Sequence, residues 1–171
     1  MRFPIDASRR RRGQLLREAL AAGGAASIAS TAALLAYGKH ECDDVAAPLN
    51  GPSQWIWGRG APYRDGFSWR YTGTGFLVHH LASTFWGAIY AALRPRRSSA
   101  ARDAATAVGV SAIACVVDYG LTPQRLRPGF EKRLSARALA GVYVAFAAGL
   151  VAGSALRRAR LRGRAHGATL R

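Results

Sequence analysis

Acidic residues are scarce in this chain. Nine Asp and Glu stand against 25 Lys and Arg in 171 residues, a formal net charge of +16. Lysine is nearly missing as well, so that Lys39 and Lys132 are the only basic residues that are not arginine. There are two cysteines, Cys42 and Cys115, and no C-x-x-C pair, which leaves a thioredoxin-like or zinc-ribbon reading without support. No G-x-S-x-G, H-E-x-x-H, P-loop or dinucleotide fingerprint occurs, so none of the familiar catalytic signatures applies. Charge is also missing locally, because almost every ionisable residue lies between four long apolar stretches rather than inside them.

That distribution decides what the basic excess means. A soluble protein with a pI near 11.5 would suggest nucleic-acid binding. Short arginine clusters flanking uncharged runs suit juxtamembrane segments facing anionic headgroups instead, and no nucleic-acid partner is expected. A bilayer core of about 30 Å needs roughly 20 apolar residues in a helix, and lipid offers no partner for unpaired backbone groups. Four segments meet the requirement: 19–37, 71–93, 104–121 and 138–156. The first follows a basic leader, as in a signal peptide, but its 19 residues exceed the 7–15 typical of such a leader's apolar region, so it reads as an uncleaved span. The fold class expected is all-α, an integral membrane four-helix bundle, with residues 1–18 and 158–171 as basic tails around a membrane domain at 19–157.

Arginine placement orients the bundle. With the N-terminus inside, the two tails and the loop after the second span hold 16 basic residues and the other two loops hold nine. Both termini are therefore expected in the cytoplasm and the protein in the bacterial inner membrane. The longest connection, 38–70, is rich in Gly, Pro, Trp and Tyr. It reads as a re-entrant or surface-lying loop anchored by its rings, or alternatively as a ligand-binding aromatic loop.

Small residues recur every four positions in the fourth span at Gly141, Ala145, Gly149 and Gly153, a stripe that allows close helix approach. It suits either the internal bundle or a homo-oligomer, and another membrane protein is a further candidate partner beside the bilayer. The first span has a similar series at Ala22, Ala26 and Ser30. In the second span the series runs Gly75, His79, Ser83, Gly87, Ala91.

The ionisable residues within spans are the hardest to explain as scaffold. They are His79, His80 and Asp118, with Cys115 one turn before Asp118. Adjacent histidines on one helix point about 100° apart, so they cannot clasp one ligand. His79 and Asp118 enter from the same side of the membrane, and a hydrogen bond between them is permitted by depth. A candidate polar pocket is therefore His79, His80, Asp118 and Cys115, serving structural hydrogen bonding, a proton relay or a ligand site. Weaker candidates are an outer metal site at His40, Glu41, Cys42, Asp43 and Asp44, and an anionic headgroup site at Arg125, Arg127 and Arg133. No cofactor is expected.

The segments "PLNGPSQWIWG", "WRYTGTGFLVHH" and "DYGLTPQRLRPGFEKRLS" together resemble a group of small four-span proteobacterial inner-membrane proteins. The resemblance implies an inner-membrane location and carries no activity, cofactor or catalytic residue with it. The functions expected are a non-enzymatic structural, assembly or envelope-maintenance component, or alternatively a small dimeric proton-coupled carrier or a lipid-acting enzyme using the His/Asp pocket.

Overall fold

The computed structural model describes residues 4–95 and 98–169. Within them the chain is helical and free of strands. Four long helices dominate: α1, Pro4–Cys42; α2, Thr74–Leu93; α3, Ala100–Val116; and α4, Ala136–Thr169. Each is long and apolar enough to cross a membrane, and the qualifying stretches are Arg11–Cys42, Trp69–Leu93, Ala100–Leu121 and Ala136–Gly163. Every expected span falls inside one of them. At 1.5 Å per residue, the 39 residues of α1 extend roughly 58 Å, about twice a bilayer core. The basic leader is thus one continuous helix with the first span, and α4 likewise runs on through its arginines.

Packing explains why the exterior is the greasier side. Ile28, Leu81, Phe85, Val108, Val116 and Val144 are exposed, whereas Ser27, Ser30, Ser83, Ser111 and Ser154 are buried. Lipid tails satisfy large apolar side chains as well as a protein core does, so the interior is left to residues that let backbones approach. Helix α1 packs along α2 on one side and α4 on the other, and α3 packs chiefly on α4. A Cβ at Gly149 would collide with the Ala26 backbone, and one at Gly153 with the Ala21 carbonyl. Gly141 receives the Tyr37 ring. Ala22, Ala26 and Ser30 of α1 are fully buried. The stripes on α1 and α4 thus face each other inside one chain.

The two ends of the bundle differ. One end, here the terminal end, carries the start of α1, the short α2–α3 connection and the end of α4. The other, the loop end, carries residues 43–68 and 122–135. The first of these connections is a folded cap of short turns, Ala47–Asn50, Gly51–Ser53, Gln54–Trp57 and Ala61–Tyr63. Residues 46–54 are all buried, so the segment is held by its backbone and polar groups more than by its rings. Trp55, Trp57, Tyr63 and Trp69 are exposed along its outside. Asn50 is fully buried at the centre. Its Nδ2 donates to the Arg64 and Gly66 carbonyls at 2.9 and 3.1 Å, and its Oδ1 accepts from Thr72 Oγ1 at 2.6 Å. Gly75 faces the Leu49 carbonyl, and Gly51 faces Gly129 of the other loop, so the cap seats directly on the helix ends.

Candidate functional site

Of the residues singled out in the second and third spans, His79 and Asp118 reach one cavity of about 60 Å³ beneath the cap. All four long helices and both loops contribute to its wall. Apolar rings from Trp86, Phe130 and Phe146 make up much of the lining, and the polar groups are Ser30, Ser83, His79, Asp118 and Tyr143. A volume of this size holds only a few waters.

His79 and Asp118 share the cavity but not a hydrogen bond. His79 Nε2 lies 2.9 Å from Ser30 Oγ on α1. Ser30 Oγ also lies 2.7 Å from the Ala26 carbonyl and 3.3 Å from the Ser27 carbonyl, and the tautomer of His79 sets which partner of the Ser30–His79 contact donates. The His79 ring also meets Phe130 edge-on, 5.7 Å between centroids. Asp118 Oδ2 accepts from the Tyr143 hydroxyl of α4 at 2.6 Å. Asp118 lies within a π-helical turn, Val117–Leu121, that ends the third span. Such a widened turn is often found at functional sites, and it moves Asp118 and Tyr119 out of the 3.6-residue register that sequence spacing assumes. A second π-helical turn, Trp69–Gly73, opens the second span, where Ser68 Oγ accepts from the Tyr71 N–H at 3.0 Å.

The other two members of the expected pocket lie elsewhere. His80 stacks on Phe76 at 5.7 Å, and its Nδ1 has no partner among the described residues. Cys115 lines a separate apolar groove between α3 and α4, bounded also by Tyr143 and Val151. The one hydroxyl paired with an imidazole among these groups is Ser30, at His79.

The acidic run after α1 is dispersed by the fold. Glu41 accepts from both the backbone N–H and the hydroxyl of Ser135, each at 2.7 Å, while Ser135 Oγ accepts from the Ala138 N–H at the start of α4. The Cys42 thiol donates to the Arg133 carbonyl at 3.2 Å. Lys39 donates to Asp43, and that bond together with its charge holds the Asp43 carboxyl below its usual range. Asp44 accepts from the Ala46 and Gly66 N–H groups. His40 is exposed. Among the described residues, no three His, Cys, Asp or Glu side chains converge as a metal ion would need. In the basic loop, Arg133 donates to the Pro62 carbonyl at 2.7 Å and to Asp65 at 2.6 Å. Arg127 donates to the Thr122 carbonyl at 3.3 Å, and Arg125 is exposed. Arg127 and Arg133 therefore secure the loops that cover the cavity.

A second polar constellation, at the terminal end, joins all four helices. Glu18 of α1 pairs with Arg94, just past α2, at 3.0 Å and with Arg157 of α4 at 2.8 Å. Asp103 of α3, 1% exposed, pairs with Arg94 at 3.3 Å and with Arg158 of α4 at 2.7 Å. Sequence reading places these residues at the same end but does not pair them. Two carboxylates and three guanidiniums at the matching edge of four spans were the available signal.

Comparison of the chain with protein-family models, with curated proteins and with solved structures finds no match.

Proposed function

We propose that the chain is a multi-pass protein of the bacterial inner membrane, both termini in the cytoplasm, that serves as a non-enzymatic structural, assembly or envelope-maintenance component. Arginine distribution supports the orientation, because the terminal end carries most of the positive charge. One observation carries the non-enzymatic reading: the two ionisable groups of the cavity are each engaged by a hydroxyl of a neighbouring helix, His79 by Ser30 and Asp118 by Tyr143. Groups held this way join helices, which supports a structural role. The resemblance to small four-span proteobacterial membrane proteins agrees with this location.

The test is substitution in cells that depend on the protein. His79→Ala and Asp118→Ala are expected to leave the phenotype intact wherever the protein accumulates normally. Loss of phenotype at normal abundance would remove the non-enzymatic reading. Fusing a reporter that is active only outside the cytoplasm to residue 66 and to the C-terminus checks the threading, with activity expected at the first position alone.

A second reading has its own observation in favour: His79 and Asp118 line the same cavity. On this reading a small proton-coupled carrier or lipid-acting enzyme opens the cap and uses the two groups together. It requires pH-dependent flux in reconstituted vesicles or an altered lipid composition in a deletion strain.

A further inference from the structure

The terminal end holds a larger opening, about 410 Å³, where α1, the end of α2 and α4 meet. Four arginines line it: Arg11 and Arg17 of α1, Arg94 after α2, and Arg157 of α4. Glu18 is the one carboxylate in the same wall, and Asp103 behind it also pairs with Arg94, so four cations stand against two anions. Glu18 sits between Arg94 and Arg157, at 3.0 and 2.8 Å, and its carboxylate fixes both guanidiniums at the floor of the opening. A guanidinium has five N–H donors, so each retains donors after pairing. Arg11 and Arg17 are exposed, and no carboxylate pairs with either among the described residues. Planar, fixed guanidiniums recognise phosphate through paired N–H donors.

Apart from Gln14, the rest of the lining is apolar. Leu15, 40% exposed, and Leu161, 49% exposed, flank the arginines, with Ala92 and the buried Ala91 beside them. Arg94 stands one residue beyond the stretch Trp69–Leu93 that is apolar enough to span a bilayer, which sets the opening at headgroup level. A free phosphate ion has no use for leucines, whereas a phospholipid presents its glycerol and first methylenes beside its phosphate. Basic pockets between membrane helices bind anionic headgroups on this principle.

From these features we infer that the opening is a binding site for the phosphate of an anionic phospholipid headgroup. The inference rests on the membrane-spanning part of the function proposed above. It is distinct from the loop-end arginines, of which Arg127 and Arg133 are engaged within the fold.

The test uses the full chain purified in detergent, with thermal unfolding followed on addition of phosphatidylglycerol, phosphatidylcholine or inorganic phosphate. Phosphatidylglycerol is expected to stabilise the protein and phosphatidylcholine to have little effect. Arg11→Ala combined with Arg17→Ala leaves the Glu18 ion pairs intact. It is expected to weaken phosphatidylglycerol binding roughly tenfold, the loss that about 1.4 kcal/mol of charge-assisted hydrogen bonding represents, while unfolding in plain detergent stays unchanged. Equal stabilisation by the two lipids, or an undiminished phosphatidylglycerol effect in the double variant, overturns the proposal. Stabilisation by inorganic phosphate equal to that by phosphatidylglycerol overturns the lipid assignment. Alkaline carbonate washing of membranes separates the underlying reading: release of the protein there refutes membrane integration, whereas retention combined with lipid indifference refutes only this site.

Discussion

Gly87 of α2 faces Gly23 of α1 so closely that a Cβ on Gly87 would lie 2.6 Å from the Gly23 Cα. Neither helix has a side chain between the two backbones at that point. On the opposite flank of α1, Gly149 and Gly153 of α4 make the same kind of approach. The first helix is therefore clamped along two sides by backbone contact.

Gly87→Leu is expected to force α1 and α2 apart. Overpacking of a tight contact costs about 1–3 kcal/mol, and backbone cannot shift as a flexible side chain can. A lowered unfolding midpoint in detergent checks it, with Gly109→Leu as the control, because a Cβ at Gly109 meets nothing within 4 Å.

Asp103→Ala is expected to destabilise the protein more than Glu41→Ala. Removing Asp103 leaves Arg158 without this partner and Arg94 with Glu18 alone, a cost below the roughly 3–5 kcal/mol of a fully buried pair because Glu18 remains. The Glu41 carboxylate is exposed and holds only the Ser135 cap, so its loss is the smaller one. Chemical unfolding of the two variants side by side gives the ranking.

Asn50→Ala is expected to loosen the cap without unfolding the four long helices. Three hydrogen bonds end on this side chain, and each buried group left unpaired costs about 1–3 kcal/mol. Limited proteolysis is expected to cut within residues 55–68 of the variant while helical circular dichroism is retained.

Asp118→Asn and Asp118→Ala are expected to differ. Asparagine keeps an oxygen that can accept from the Tyr143 hydroxyl, so stability changes by less than about 1 kcal/mol. Alanine strands the buried hydroxyl, and the unfolding midpoint falls. Equal midpoints for the two variants would show that the Tyr143 bond contributes nothing.

Much of the architecture is legible in the chain because lipid imposes strong rules. A run such as 138–156 without a charge can only be a helix in that solvent, and it lies within α4. The four-residue series at Gly141, Gly149 and Gly153 identifies a packing face, since only small side chains admit another backbone. Spacing does not say which backbone arrives. Whether the stripe meets a second copy or the same chain is settled by the α1 contacts at Ala21 and Ala26.

Individual partners are less legible. Depth allows His79 to meet Asp118, yet His79 meets Ser30. The reason is rotational: the glycine contacts fix how α2 turns toward α1, and the π-helical turn re-aims Asp118 toward Tyr143. The loop at 43–68 shows the same division. Its Gly and Pro content excludes a long helix, but the burial of residues 46–54 depends on Asn50 finding carbonyls 14 and 16 residues away.

Sequence by itself determined that four stretches are long and apolar enough to cross a membrane and which faces are small enough to pack, but not that the first and last helices run on through the basic tails. The tertiary structure decided which polar groups are partners. Hydrophobic length is a property of one segment read alone, whereas a hydrogen bond or ion pair such as Glu18 with Arg157, 139 positions apart, exists only once two helices have settled their rotation and register against each other.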